Sequence, residues 1–131
     1  GHNAKRIDIG RRLTEGLSGI AGLELPWVDP KGVHVFHFFV VQLGKGFPMS
    51  KADFMWELYA NRGIKPWSHY TPVHLTDPYR RQGHGEGECP AAEAAHGRYV
   101  SLPVHPRLTD EAVEYLVDNV RDVAGAGPRK R

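Results

Sequence analysis

The chain has 131 residues, 40% hydrophobic and 24% charged, which is ordinary for one soluble globular domain. A formal net charge of +2 is too small to indicate a nucleic-acid partner, and the longest apolar run, Phe38–Val41, is too short to cross a bilayer. With a single cysteine, Cys89, no internal disulfide is possible, and a reducing cytoplasm is the expected location.

The first third of the chain predicts a helix, a turn and a buried strand. Ile7–Leu17 places apolar residues near one helical face, and Leu23–Trp27 is short and extended. Asp29–Gly32 has the composition of a turn. Val33–Leu43 is rich in Val and Phe and is largely apolar on both faces, which predicts the central strand of a sheet.

The middle of the chain predicts a capped helix and then an extended segment. Ser50 is a good N-cap, and Asp53 stands three residues later, where a capping box has its acidic partner. Gly63 is a natural stop for this helix. Ile64–His74 contains two prolines, which oppose a helix, so we expect it to be extended.

The last third predicts a loop, a short helix, a strand and a long helix. Residues 79–89 are polar and glycine-rich, and Pro90 suits the first turn of a helix. Tyr99–Leu102 predicts a strand, and Thr109 is expected to cap the final helix. That helix carries an apolar stripe with i, i+3, i+4, i+7 spacing, formed by Val113, Leu116, Val117 and Val120.

These elements predict an α/β fold, specifically an α+β sandwich with a small mixed or antiparallel sheet packed against helices. We expect the domain to span residues 3–124. Residues 125–131 are predicted to be a disordered basic tail, and Gly1–His2 is interpreted as a cloning remnant.

The most unusual local sequence is Ser68–His74, which holds His69, Tyr70 and His74. Imidazole and phenol groups hydrogen-bond sugar hydroxyls or phosphate, and both serve proton transfer. Side chains alternate along an extended segment, so His69 and His74 need not converge. The alternative is a loop whose aromatic rings simply pack.

A metal site is the second idea. Nitrogen, oxygen and sulfur donors that zinc accepts occur together in the glycine-rich loop, as His84, Glu86, Glu88 and Cys89. No standard paired-ligand spacing is present, so no metal is predicted, and a small metal-dependent enzyme remains only an alternative.

The sequence also lacks an evident catalytic centre. Pyridoxal phosphate chemistry needs a lysine that forms an imine with the cofactor, together with a carboxylate and a phosphate cup. The six lysines, at positions 5, 31, 45, 51, 65 and 130, have the contexts of surface residues.

Five segments in order nevertheless resemble a known family. They are Arg11–Pro26, Val33–Val40, Gly63–His74, Cys89–Glu93 and Ser101–Thr109, which include the sequences HVFHFFV, HYTPVH, CPAAE and SLPVHPRLT. Together they resemble the C-terminal part of the DegT/DnrJ/EryC1/StrS family of pyridoxal-phosphate-dependent sugar aminotransferases. The resemblance runs from about Arg6 to Val123.

The resemblance implies a small C-terminal domain that helps cover the substrate, while a large N-terminal domain holds pyridoxal phosphate. It implies a parent homodimer that transfers an amino group to a nucleotide-linked keto sugar. By the same resemblance, His69, Tyr70 and His74 are candidates for contacting the nucleotide-sugar. The isolated chain is expected to bind no cofactor, to contain no catalytic residue and to be inactive.

Two alternatives within this resemblance stay open. The chain could be a stand-alone, non-catalytic module that binds a nucleotide-sugar or a protein. The parent could also be a pyridoxal-phosphate-dependent sugar dehydratase, in which histidine replaces the lysine. A domain separated from a larger enzyme is expected to expose an apolar patch where that enzyme once covered it.

Overall fold

A computed structural model describes residues 1–125, so most of the predicted basic tail, residues 126–131, lies outside the described residues. The helices are α1 (His2–Leu17), α2 (Lys51–Trp56), α3 (Asp77–Arg80), α4 (Pro90–His96) and α5 (Asp110–Val123). The strands are β1 (Leu23–Glu24), β2 (Phe39–Leu43) and β3 (Tyr99–Leu102). A π-helical turn (Glu57–Asn61) continues α2, and a 3-10 turn spans Val73–Leu75. None of the helices in the described part is long and apolar enough to cross a membrane.

The strands form an antiparallel sheet in the order β1-β2-β3. Leu23 pairs with Leu43 on one side of β2, and Phe39 pairs with Leu102 on the other. The predicted α/β class with a small sheet is therefore confirmed, and β2 is central as expected. The residues of β2 alternate between buried and half-buried side chains, which fits its largely apolar sequence.

The core lies where one face of the sheet meets α1 and α5. Phe39 and Val41 of β2 are fully buried, as are Leu13 of α1 and Val120 of α5. The predicted stripe of α5 is buried along its whole length. Each large apolar side chain buried here contributes about 1.5–3 kcal/mol relative to an exposed position. This packing is what fixes α1 and α5 relative to the sheet.

The first helix is longer than predicted, because it begins at His2 rather than Ile7. The residues interpreted as a cloning remnant are thus partly helical. Gly10 is buried in this helix and makes room for the ring of Phe36. A Cβ built on Gly10 would lie 2.4 Å from Cδ2 of that ring.

The predicted strand Val33–Leu43 is wrong in its first half, since only Phe39–Leu43 is a strand. β3 pairs only with residues 39–42, so the preceding residues lie beyond the ladder. The Phe36 amide instead donates to Nδ1 of His34 at 3.1 Å, and Phe36 adopts a left-handed φ of 46°. Its buried side chain, packed at Gly10, holds this strained conformation in place.

The predicted helix signals in the rest of the chain are confirmed. Oγ of Ser50 accepts from the Asp53 amide at 3.1 Å, and Oγ1 of Thr109 accepts from the Ala112 amide at 3.2 Å. Gly63 follows the π-helical turn with a φ of 61°, which suits glycine. Two short elements were not predicted. Val73–Leu75 is a 3-10 turn that begins inside the segment expected to be extended, and α3 extends into the segment expected to be a loop.

Candidate functional site

The segment that carries the predicted site residues runs along the free edge of β3. The Trp67 amide donates to the Ser101 carbonyl at 2.9 Å, and the Ser101 amide donates to the Trp67 carbonyl at 2.8 Å. This single antiparallel bridge fixes the chain two residues before His69. Proline at positions 66 and 72 keeps the intervening backbone from becoming helical.

His69 lies half-buried above the edge of the sheet. Its Nε2 hydrogen-bonds Oγ of Ser101, which is itself buried. The ring meets Phe38 edge-on, with the two centroids 4.5 Å apart. Burial, and then the nearby positive charge of Lys51, lower the pKa of His69. The imidazole is therefore neutral at physiological pH and retains Nδ1 for a further hydrogen bond.

Aromatic rings continue on both sides of His69. The His37 ring lies 4.4 Å from Phe38, Phe38 lies 4.5 Å from His69, and His69 lies 6.0 Å from Tyr70, measured between centroids. We call these four residues the aromatic row. Tyr70 is 78% exposed and Phe38 is 41% exposed, so the row forms part of the surface.

Two members of the aromatic row, His37 and Phe38, lie at the end of a longer and mostly exposed segment. This segment spans residues 25–38, and we call it the arm. Trp27 and Val33 of the arm are 78% and 81% exposed and line one shallow depression. Val33 also lines the neighbouring depression, which extends to Phe38 and Val40. Exposed side chains, including large apolar ones, therefore follow the two depressions from Trp27 to Phe38, and the ring contacts of the aromatic row extend this surface to Tyr70.

His74 is placed differently from His69 and Tyr70. It lies in the 3-10 turn, its side chain is only 11% exposed, and Nε2 hydrogen-bonds Oε1 of Glu93 at 2.9 Å. The structure thus groups His69 with Tyr70 but gives His74 a partner on α4. The expectation that the two histidines need not converge agrees with these separate partners.

Three residues near the site were not predicted to contribute to it. Ser101 appeared only within a motif, and Phe38 only within a strand. Lys51, which had the context of a surface residue, is half-buried: its ammonium donates to the His96 carbonyl at 2.7 Å, and burial lowers its pKa. Contacts between residues far apart in sequence create all three roles, so no local signal could have shown them.

The glycine-rich loop does not assemble the alternative metal site. Nδ1 of His84 pairs with Oε2 of Glu88 at 2.9 Å, whereas Glu86 lies 3.7 Å from Arg80 and Cys89 is exposed. Within residues 1–125, no group of three or more His, Cys, Asp or Glu side chains is placed to hold a metal ion.

The lysines in the described residues do not fit the imine-forming role in pyridoxal phosphate chemistry. Lys31, Lys45 and Lys65 are exposed, and Lys65 lies 5.9 Å from the ring centroid of Trp67. Lys5 pairs with Asp110 at 3.8 Å, and Lys51 is bound to a carbonyl as described above. Each is solvated or already engaged, so this part of the chain offers no anchor for that cofactor.

The model of the DegT/DnrJ/EryC1/StrS aminotransferase family matches residues 1–121. The chain therefore belongs to this family.

Known relatives extend the comparison. The chain is 30% identical to the spore coat polysaccharide biosynthesis protein SpsC of Bacillus subtilis, over 93% of the chain and 34% of that protein. It is 31% identical to the dTDP-3-amino-3,4,6-trideoxy-alpha-D-glucose transaminase of Streptomyces venezuelae, over 93% of the chain and 31% of that protein.

Solved structures agree with the relatives. DesV of S. venezuelae matches with a TM-score of 0.82 at 31% identity, over 94% of the chain and 32% of that structure. The sugar aminotransferase Spr1654 of Streptococcus pneumoniae, solved in a PLP form, matches with a TM-score of 0.83 at 25% identity, over 95% of the chain and 31% of that structure. The chain thus spans about a third of the length of the proteins it matches.

Proposed function

We propose that the chain is the substrate-covering C-terminal domain of a cytoplasmic, pyridoxal-phosphate-dependent nucleotide-sugar aminotransferase. The observation that carries the proposal is the continuous exposed surface from the arm to Tyr70, on a domain that accounts for about a third of its relatives. Large exposed apolar surfaces mark places where another surface docks. We assign this one to the large domain of the same enzyme and to a second subunit.

The substrate class follows from the chemistry of the aromatic row. The hydroxyl of exposed Tyr70 donates or accepts a hydrogen bond, and the neutral imidazole of His69 offers Nδ1. Such groups suit sugar hydroxyls and phosphate oxygens. One relative is named a transaminase of a dTDP-linked amino sugar, which supports a nucleotide-linked keto sugar as the substrate here.

The cofactor would supply the electron sink for amino transfer when bound to the parent enzyme. The described lysines do not fit its attachment, so we place its binding site in the large domain and derive no catalytic step from this chain. The part played by the chain is to orient the sugar and to exclude water from the reacting carbon. Incubated alone with cofactor, glutamate and a nucleotide-linked keto sugar, the chain should show no turnover.

The proposed contact of His69 and Tyr70 with the nucleotide-sugar is tested by steady-state kinetics of the longer enzyme that contains the chain. Tyr70→Phe and His69→Gln should each raise KM for the nucleotide-linked keto sugar roughly twofold to tenfold, the value of one hydrogen bond, while kcat changes little. Tyr59→Phe is the matched control, because Tyr59 is also an exposed tyrosine but lies on the π-helical turn and is not one of the four residues of the aromatic row. Unchanged KM values in both site variants would overturn the assignment.

The chemistry of the parent is tested separately. A lysine at the cofactor-attachment position of the longer coding sequence supports the aminotransferase, whereas histidine there would support the dehydratase alternative. Turnover by the chain alone would contradict the proposal altogether.

A further inference from the structure

Glu93 collects hydrogen bonds from two separate segments. Its Oε1 accepts from the Gly87 amide at 2.9 Å and from the Cys89 amide at 3.2 Å, and its Oε2 accepts from the Gly87 amide at 3.1 Å. The same Oε1 pairs with Nε2 of His74 at 2.9 Å. One side chain of α4 thus links the glycine-rich loop to the 3-10 turn.

The ionised form of Glu93 suits this arrangement. A carboxylate only accepts hydrogen bonds, so Nε2 of His74 must be the donor. The Gly87 amide, and then His74, lower the pKa of Glu93, which keeps it charged at neutral pH. Hydrogen bonds to an ionised acceptor are stronger than neutral ones, so the carboxylate holds both segments together.

The start of the loop is held by α3, where the His84 amide donates to the Tyr79 carbonyl at 3.2 Å and Glu86 lies 3.7 Å from Arg80. Gly83 and Gly87 have φ values of 95° and 90°, which glycine adopts without steric cost. Glu88 accepts from the Gly85 amide at 3.1 Å and pairs with His84, so it shapes the loop internally. Glu93 differs from Glu88 because it fastens the loop to another element.

We propose that Glu93 is a positioning residue that fixes the His74 imidazole through Nε2 and ties residues 83–89 beside it. This arrangement leaves Nδ1 as the His74 atom that meets any further partner. The functional part of the inference rests on the proposed function and adds to it a contact between His74 and the nucleotide-sugar, for which the family resemblance makes His74 a candidate. The positioning itself depends only on the contacts described above.

The positioning is tested by hydrogen exchange in the 131-residue chain, measured by NMR for Glu93→Gln and Glu88→Gln. Glutamine has one acceptor oxygen instead of two and carries no charge. Glu93→Gln should therefore speed exchange of the Gly87 and Cys89 amides roughly tenfold. Glu88→Gln, the matched control, should speed exchange at Gly85 and leave those two amides within twofold of the unsubstituted chain.

Glu93→Ala tests the histidine contact directly. The Nε2 proton of His74 should be protected from exchange in the unsubstituted chain and lose that protection in this variant. Folding should survive, because α4 contributes no buried residue to the core. The positioning role would be overturned if both Glu93 variants kept exchange within twofold of the unsubstituted chain. This applies to the amides of Gly87 and Cys89 and to the His74 ring.

The functional part is tested in the longer enzyme. Glu93→Gln should raise KM for the nucleotide-linked keto sugar without lowering kcat, and it should cause no further rise in a His74→Ala background. Altered exchange with an unchanged KM would retain the positioning role and reject the contact of His74 with substrate. The two failures are therefore distinguishable.

Discussion

The two sides of this domain differ in how their side chains are used. On the helical side, α1, α5 and one face of the sheet bury a continuous set of aliphatic and aromatic side chains. On the other side, the arm, the segment after Gly63 and the glycine-rich loop expose large rings and pair histidines with serine or glutamate. The first side stabilises the fold, and the second is the side to which we assign contacts with substrate and with the rest of the enzyme.

The boundary between the two sides falls between adjacent residues. Phe39 is fully buried, whereas its neighbour Phe38 is 41% exposed and belongs to the aromatic row. Phe38 directly precedes β2, so one step along the chain passes from the core to the aromatic row. The buried first residue of the strand therefore anchors the neighbouring surface ring, and support of this kind helps to hold a surface group in place.

The largest expected effect tests this boundary with one pair of variants. Phe39→Ala removes a fully buried ring and should lower the free energy of unfolding by about 3–5 kcal/mol. Phe38→Ala removes a ring that is already partly solvated and should cost about 1 kcal/mol or less. Urea denaturation followed by circular dichroism measures both, and equal losses would show that the two sides share one core.

A second prediction concerns the contact that joins the arm to α1. Gly10→Ala would place a methyl group against the Phe36 ring, and overpacking of this kind costs about 1–3 kcal/mol. In a Phe36→Ala background the clash is absent, so the same change should become neutral or slightly stabilising, since alanine favours helix. The free energies of unfolding of the unsubstituted chain, the two single variants and the double variant form a double-mutant cycle. Additive effects in this cycle would mean that Phe36 does not pack on Gly10.

The smallest effect concerns the ionic link between the two helices. Nη1 of Arg12 donates to Oδ1 of Asp110 at 2.6 Å; this hydrogen bond, and then the charge of Lys5, lower the pKa of Asp110. A depressed carboxyl pKa contributes stability above its ordinary value, and that contribution is lost as pH falls through the lower folded-state value.

The acid limb of the stability curve should therefore fall below about pH 4. Asp110→Asn and Arg12→Gln should both flatten that limb and leave the stability of the aromatic-row side unchanged. Thermal unfolding from pH 2 to pH 6 measures the slope, and an unaltered slope in both variants would argue against the link.

Much of the helical side could be predicted from the sequence. The cap at Thr109 and the stripe of α5 depend on neighbouring residues, and the caps at Ser50 and Gly63 do so as well. The apolar composition around Phe39 also indicated a central strand. These signals are local, so the spacing of residue types was enough to find them.

The site side was predicted only in part. The sequence marks the segment with His69, Tyr70 and His74 as unusual, and it predicts an exposed apolar patch. It also predicts a strand from Val33, whereas β2 begins at Phe39. The roles of Ser101 and Glu93 depend on contacts across 32 and 19 positions of sequence. Hydrogen bonds over such separations leave no periodic trace in the sequence.

The sequence by itself determined α2, α4, α5 and most of α1, the caps at Ser50 and Thr109, the central position of β2, and the resemblance to the aminotransferase family. The tertiary structure decided that Phe36 adopts a left-handed φ against Gly10, that His69 lies against Ser101 and Phe38, and that His74 lies against Glu93. The physical reason is that capping and amphipathic burial are set by residues within a few positions of one another. The pairing of rings and carboxylates depends instead on how the whole chain packs.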